Sequence, residues 1–149
     1  MMNSDFKDLL RIFNELEVEY LVVGGYAAIH YSQPRYTKDL DLWIKPTQKN
    51  ALAVAKAFSL FGLPMHDFTV SDLADTGFQF FVGCPPCAFD FLTTVKGLEF
   101  DPAWENRSQS MEGDLPIWYL GKEDLITAKK AVARDQDLKD IEEIRRADS

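Results

Sequence analysis

The chain has 149 residues, of which 46% are hydrophobic and 27% are charged, and its formal net charge is −8. This length and composition predict one folded domain over residues 1–149, with no membrane span and no signal peptide, because no apolar run approaches the roughly 20 residues that a span needs. The acidic balance disfavours nucleic-acid binding through a broad basic face, although it is compatible with a small basic pocket.

The first half of the chain alternates predicted helices and strands. Apolar residues at spacings of three and four predict an amphipathic helix over 5–17, capped by Ser4 or Asp5. The apolar run 20–23 predicts a buried strand that ends at two glycines, where a short helix begins. Residues 39–44 predict a second strand, and a long helix follows to about Leu60 with an inward face of Ala51, Leu52, Ala55 and Phe58.

The second half begins with two further strands. Residues 78–82 and 88–92 predict a hairpin, and Pro116 makes 115–120 an expected edge strand because proline cannot donate to a β-ladder. Residues 101–114 receive no assignment. Two helices, 122–133 and 136–147, end the chain. The order of elements predicts an α+β (α/β) fold, a mixed sheet flanked by helices, with the C-terminal helices (122–147) packed on it.

Two acids on the second strand suggest a metal site. Asp39 and Asp41 are two residues apart, so both carboxylates lie on one face of a strand. They repel each other and are costly to desolvate, and a divalent cation between them relieves both effects. An oxygen-only ligand set favours Mg²⁺ or Mn²⁺ over zinc.

The glycine pair suggests a phosphate site beside these acids. Gly24 and Gly25 lie where a strand turns into a helix, and a helix N-terminus offers free N–H groups to an anion. The absence of side chains lets a phosphate approach the backbone. A phosphate cradle beside a carboxylate pair favours metal-assisted phosphoryl or nucleotidyl transfer.

The same residues carry a family resemblance. Gly-Gly, 13 residues and then Asp-Leu-Asp-Leu resemble the signature of the DNA polymerase β-like nucleotidyltransferase superfamily. The string GGYA followed by RYTKDLDL is similar to the minimal bacterial nucleotidyltransferases that include the abortive-infection toxins (AbiEii-like). Asp90, between apolar residues, matches a third acid of that family, and residues 125–144 resemble its Lys…Arg-x-x-Asp-x-x-Asp ending.

The resemblance implies an enzyme of the nucleotidyltransferase fold that moves a nucleoside monophosphate from a nucleoside triphosphate to a hydroxyl. Asp39, Asp41 and Asp90 would hold Mg²⁺ or Mn²⁺, and Asp90 would also take the acceptor's proton. The resemblance also implies phosphate contacts for Gly24, Gly25 and Lys129. Arg35 and Thr37 would either contact phosphate oxygens or orient Asp39. Asp137 and Asp140 match the tail acids, and could equally be N-cap and helix-face residues.

The same resemblance implies several partners, and the sequence departs from the family pattern at one position. The acceptor would be a tRNA end, a protein hydroxyl or a small molecule, and a toxin-type enzyme would have an antitoxin protein as partner. The superfamily often has serine after the first glycine, where this chain has Gly25. A cytoplasmic location is expected, because two cysteines cannot build a disulfide framework.

Less specific interpretations remain beside these. The acids could lie on a solvated strand, and Lys129, Asp137 and Asp140 on a solvated helix. Cys84-Pro-Pro-Cys87 is expected to form a turn rather than a redox motif, and Tyr26 or Trp43 could stack on a base. Two alternative functions stay open: a catalytically silent nucleotide- or partner-binding protein, and a two-metal phosphohydrolase.

Overall fold

The computed structural model describes residues 2–84 and 86–148 and contains seven helices and six strands in that part of the chain. The strands are β1 (Tyr20–Val23), β2 (Asp39–Ile44), β3 (Gln79–Val82), β4 (Ala88–Leu92), β5 (Ser108–Glu112) and β6 (Leu115–Tyr119). The helices are α1 (Ser4–Glu15), α2 (Gly24–Tyr31), α3 (Gln48–Phe61), α4 (Val70–Leu73), α5 (Phe100–Glu105), α6 (Lys122–Val132) and α7 (Asp135–Ala147).

The strands form one mixed sheet in the order β3-β4-β2-β1-β6-β5. β2 runs parallel to β4 and antiparallel to β1, while β1 meets β6 in parallel. β3–β4 and β5–β6 are antiparallel pairs at the two sides. This mixed, helix-flanked sheet confirms the predicted fold class. None of the described helices has the length and apolar character that crossing a membrane requires.

One face of the sheet is covered by aromatic packing from α1 and α3. Phe58 of α3 lies 4.9 Å from Phe91 of β4 between ring centroids, and Phe13 of α1 lies 5.6 Å from Tyr20 of β1. Most phenylalanines of the chain thus belong to the core, and Phe81 is an exposed exception. The opposite face of β2 carries Asp39, Asp41 and Trp43 in alternation, and it is the face that α2 partly covers.

The predicted edge strand is wrong. Strand β6 lies inside the sheet, between β1 and the polar strand β5, which falls in the range that received no assignment. Strand β1 pairs with β6 only at Val22 and Tyr119, so Pro116 occupies a part of β6 that β1 does not reach. A proline is therefore tolerated without a lost bond to β1. Helices α4 and α5 also lacked a sequence signal, since they have only four and six residues.

The predicted inward face of α3 is also partly wrong. Leu52 is 53% exposed and Ala55 is half-buried, whereas Val54 and Ala57 are buried. The inward face begins at the polar residue Asn50, which the apolar pattern of the sequence does not count. At the N-terminus, the cap of α1 is Asn3, whose side chain accepts a hydrogen bond from the Asp5 amide at 2.7 Å, and neither Ser4 nor Asp5 has that role.

Asn50 joins three elements through its side-chain amide. Its Oδ1 accepts from the Glu19 amide at 2.8 Å, and its Nδ2 donates to the carbonyl oxygens of Glu19 and Lys45, both at 3.0 Å. The residue is 4% exposed, so these groups have no access to bulk water. The start of β1 and the end of β2 are thereby fixed to α3.

Replacing Asn50 with alanine is expected to lower the free energy of unfolding by about 1–3 kcal/mol, because the Glu19 amide loses its partner and the carbonyl oxygens of Glu19 and Lys45 each lose one of two donors. Chemical denaturation followed by circular dichroism measures the change. Lys49→Ala, on the exposed side of the same helix turn, is the control and should stay within about 0.5 kcal/mol of wild type. Equal effects of the two substitutions would contradict this role of Asn50.

Candidate functional site

Three carboxylates meet on the partly open face of the sheet. Asp39 and Asp41 come from β2, and the parallel register with β4 places Asp90 directly beside Asp41. One carboxylate oxygen from each of the three residues lies within 4.8 Å of the other two. The sequence prediction that these acids share one site therefore agrees with the geometry, and the parallel β2–β4 pairing is its cause.

The carboxylates destabilise one another's charge. Burial, together with the negative charges of Asp39 and Asp90, raises the pKa of Asp41 to about 8. Burial also raises the pKa of Asp90, and the charge of Asp39 adds to this effect. No lysine or arginine nitrogen in the described part of the chain lies within 4.0 Å of any of the three carboxylates. The unpaired negative charge is thus concentrated at one point.

This donor set fits a hard divalent cation. It supplies carboxylate oxygens from three residues, without a histidine or cysteine ligand, which is the chemistry that Mg²⁺ and Mn²⁺ prefer. A cation at this point would offset the repulsion and the desolvation that raise the pKa of Asp41. The arrangement supports metal binding, and it does not distinguish the two ions.

Asp90 is held by a residue that the sequence analysis missed. The Gln79 side chain, on the neighbouring strand β3, donates from Nε2 to both carboxylate oxygens of Asp90, at 3.0 and 2.9 Å. This contact lowers the pKa of Asp90 and opposes the effect of burial. Gln79 could have been found from the predicted hairpin. It is a polar residue two positions before Phe81, which pairs with Asp90, so Gln79 and Asp90 lie on the same face of the sheet.

Gly24 lies directly against an acid of the cluster, and Gly25 lies against Thr37. Gly24 has a φ of +66°, and a Cβ built on it would lie 1.9 Å from Oδ2 of Asp41. A Cβ on Gly25 would lie 2.5 Å from Oγ1 of Thr37. Both positions therefore require glycine for close approach, and the backbone at the start of α2 lies against the acid cluster. The serine expected from the resemblance would not fit at Gly25 without a shift of Thr37.

The C-terminal residues form a buried ion-pair network rather than a solvated helix face. Lys129 Nζ lies 2.9 Å from Asp140 Oδ2 and 3.5 Å from Asp137 Oδ1. Lys129 is 6% exposed and the two acids are 3% exposed each, so the solvated interpretation of all three is wrong. Burial alone would raise the pKa of Asp137 and Asp140, but hydrogen bonds and the charge of Lys129 lower both overall.

Two arginines complete the network. Arg35, on the segment between α2 and β2, donates from Nη2 to Asp140 at 3.0 Å. Arg134 donates from Nε to Asp137 at 2.8 Å, and Asp137 also accepts from the Arg134 amide at the start of α7. Arg134 is the arginine of the tail pattern, but sequence reasoning gave it no role. Three cations thus share two buried carboxylates beside the acid cluster.

A cavity of about 690 Å³ joins these parts. Its walls include the three acids, both glycines, Arg35, Thr37, Lys129, Arg134 and two further lysines, Lys38 and Lys96. Thr37 donates weakly to the backbone oxygen of Asp39 at 3.4 Å. The predicted metal and phosphate residues therefore all line one cavity, with the three acids on the strands and with Lys129 and Arg134 near the C-terminal helices.

The Cys84–Cys87 segment takes no part in this cavity. Both cysteines are free, and the Cys87 amide donates to the Cys84 carbonyl oxygen at 2.8 Å, as in a turn. Strand β4 follows at once, so no helix N-terminus lies there to activate a thiol. Pro85 lies outside the described residues.

The acid cluster predicts a pH-dependent stability of the metal-free protein. Because the pKa of Asp41 is about 8 in the folded state and near 3.8 in the unfolded chain, its contribution to stability is complete below about pH 4 and is lost as the pH rises through 8. Each pKa unit corresponds to about 1.4 kcal/mol, so several kcal/mol are at stake. In chelator, Asp41→Asn should therefore become more stable than wild type as the pH rises from 5 to about 8. A difference independent of pH would contradict this assignment.

Gly24→Ala is expected to weaken Mg²⁺ or Mn²⁺ binding at least about tenfold, since the added Cβ would displace the Asp41 carboxylate. Gly62→Ala is the matched control, because Gly62 also has a positive φ of +92° but no atom within 4 Å of a built Cβ. Both variants carry the same backbone strain of about 1–2 kcal/mol. Titration calorimetry separates the two effects, and equal metal affinities would show that the close contact is unimportant.

The fold resembles that of a solved adenylyltransferase. A crystal structure of the lincosamide antibiotic adenylyltransferase LnuA, with lincomycin bound, matches with a TM-score of 0.64 over 97% of this chain and 97% of that chain. The two sequences are 14% identical. This likeness concerns the fold, and it confirms the predicted nucleotidyltransferase fold. No curated protein matched the chain.

The sequence also matches one protein family almost from end to end. That family is described as "Nucleotidyltransferase of unknown function (DUF6036)", and the match covers residues 4–147. The predicted enzyme class, nucleotidyltransferase, is therefore confirmed. The chain belongs to the DUF6036 family of nucleotidyltransferases.

Proposed function

We propose that this enzyme transfers a nucleoside monophosphate from a nucleoside triphosphate to a hydroxyl group, with Mg²⁺ or Mn²⁺ bound by Asp39, Asp41 and Asp90. The observation that supports this most directly is the contact between Gly24 and Asp41. It places the start of α2, whose free N–H groups can bind a phosphate, against the acid cluster that can bind a metal ion. Family membership supports the reaction class.

In the proposed reaction, the acceptor's hydroxyl oxygen bonds to the α-phosphorus and the bond from that phosphorus to the bridging β-phosphate oxygen breaks. Pyrophosphate leaves, and Asp90 takes the hydroxyl proton. Gln79 keeps the Asp90 carboxylate in one orientation, which favours proton transfer from a fixed direction. When bound, the metal supplies charge stabilisation to the attacking and leaving oxygens.

The helix side of the cavity would hold the rest of the triphosphate. The N–H groups at Gly24 and Gly25 offer donors without side-chain obstruction. Lys129, Arg35 and Arg134 keep three positive charges beside two acids, a net charge of about +1 that faces the phosphates. We propose that Thr37 orients the backbone at Asp39 and that Asp137 and Asp140 fix the cations.

For the acceptor, a small hydroxyl-bearing molecule is the first choice. Its support is the fold likeness to LnuA, an antibiotic adenylyltransferase with lincomycin bound, together with the net charge of −8 that disfavours a large RNA. A tRNA end or a protein hydroxyl is the alternative.

Membership of the AbiEii-like toxins, with an antitoxin partner, is a further proposal that growth arrest on expression would test. We also propose that residues 1–149 act as one domain in the cytoplasm.

The central test is acid replacement in a transfer assay with α-labelled nucleoside triphosphates, Mg²⁺ and a panel of acceptors: small hydroxyl compounds, tRNA and protein. Asp41→Asn and Asp90→Asn are expected to lose at least about 100-fold in rate, because they remove a metal ligand and the proton acceptor. Asp8→Asn, on the exposed side of α1, is the control and should retain full activity.

The products separate the proposal from its rivals. Transfer with pyrophosphate release supports it, whereas free phosphate as the product would indicate a phosphohydrolase. Triphosphate binding without transfer to any acceptor would indicate a silent binding protein. Full activity of Asp41→Asn would show that the acids are not the site.

A further inference from the structure

A second cavity, of about 570 Å³, adjoins the acid-lined cavity, and the proposed reaction has not used it. Its walls include the rings of Tyr26, His30, Tyr36 and Tyr119, so we refer to it as the aromatic cavity. Arg35 and Thr37 line both cavities and form their common border. Its volume lies within the range of small-molecule sites, roughly 300–1,000 Å³.

The rings are arranged as a partly preformed stack. Tyr26 and His30 are one turn apart on α2, and His30 stacks on Tyr119 with ring centroids 4.2 Å apart and planes at 11°. Tyr36, on the segment before β2, is 72% exposed. This exposed ring lines the same cavity as the two stacked rings and offers a flat ligand an open aromatic surface.

The charges of this cavity do not suit a phosphate. Burial lowers the pKa of His30, which favours the neutral imidazole. Arg35 is already paired with Asp140 at 3.0 Å, and Glu112 adds a carboxylate to the wall. A neutral ring with hydrogen-bonding edges fits these walls better than an anion does.

The aromatic cavity begins on the Asp39 side of the acid cluster. Burial raises the pKa of Tyr26, and the nearby charge of Asp39 raises it further. Asp90 lies on the other side, where Gln79 of β3 holds it. In the proposed reaction, the acceptor hydroxyl approaches Asp90 and the pyrophosphate lies at the glycines. The nucleoside, which is the third group on the α-phosphate, would then extend towards this cavity.

We infer that the aromatic cavity binds the nucleobase of the substrate triphosphate, with Tyr36 stacking on its exposed face. This inference rests on the proposed function. It also decides between two residues that the sequence left open for stacking. Trp43 is 2% exposed and packs edge-on against Phe100 at 5.0 Å, so its ring belongs to the core, whereas Tyr26 lines the cavity.

The test compares nucleotides with a ligand that has no base. Titration calorimetry in Mg²⁺ measures the Kd of ATP, GTP, CTP, UTP and inorganic tripolyphosphate. For the nucleotide that wild type binds most tightly, Tyr36→Ala should raise the Kd at least about fivefold, the lower limit for a lost base–aromatic stack. The Kd of tripolyphosphate should stay within about twofold of wild type, since the phosphate contacts remain.

Two further variants control for the substitution itself. Tyr36→Phe keeps the ring and should restore nucleotide binding to within about twofold of wild type. Leu60→Ala removes another exposed apolar side chain, 63% exposed on α3 and outside both cavities, and should leave nucleotide affinity unchanged.

Three results would overturn the inference. The first is that Tyr36→Ala binds nucleotides as tightly as wild type does. The second is that Tyr36→Ala loses as much affinity for tripolyphosphate as for the nucleotide. The third is that the wild-type protein binds tripolyphosphate as tightly as it binds every nucleotide. In the first two cases nucleotides still bind the wild-type protein and the proposed function survives. If no triphosphate binds the wild-type protein, the proposed function and this inference fail together.

Discussion

Repulsion among three carboxylates is the constraint around which the functional face is organised. The parallel pairing of β2 with β4 forces Asp41 and Asp90 side by side, and the alternation of β2 adds Asp39 to the same face. Burial then raises the pKa of Asp41 to about 8, a cost that the surrounding fold must offset. Concentrated, unpaired charge of this kind is typical of sites where stability is given up for function.

The packing on the other face of the sheet shows how that cost is tolerated. Aromatic residues of α1 and α3 fill the core against β1 and β4, and Asn50 locks the ends of β1 and β2 to α3. The strand that carries two of the acids is therefore anchored along its buried side. One face of β2 packs in the core and the other carries the acids of the cavity. A substitution such as Asn50→Ala can therefore lower stability without contacting any group of the cavity.

The sequence allowed much of this arrangement to be predicted, for physical reasons that differ between elements. Strands β1, β2 and β4 are short apolar runs between glycine, proline and charged residues, and their predicted bounds match the structure. The acid cluster followed from strand alternation and from the family resemblance. The polar strand β5 gave no hydrophobic signal, so its partner β6 was mistaken for the edge.

The roles of individual polar residues were harder to predict, because burial of a charge depends on partners that are distant in the chain. Lys129 on α6 and Asp137 and Asp140 on α7 are charged residues of the kind that solvated helix faces carry, yet they neutralise one another in the interior with the help of Arg35. Gln79 could be found only by pairing the two predicted strands, because its contact with Asp90 depends on the antiparallel pairing of β3 and β4. Pairing of this kind is a property of the tertiary structure.

The ion-pair network has one further consequence. Asp140 accepts from Arg35 and from Lys129 at the same oxygen, so a single atom ties the segment between the two cavities to the helices at the far end of the sequence. The segment with Arg35 and Thr37, which separates the acid-lined cavity from the aromatic cavity, is thus held in place by α7. Helix α7 begins almost a hundred residues after this segment. A substitution at Asp140 would therefore loosen the wall between the cavities, although Asp140 itself lines neither of them.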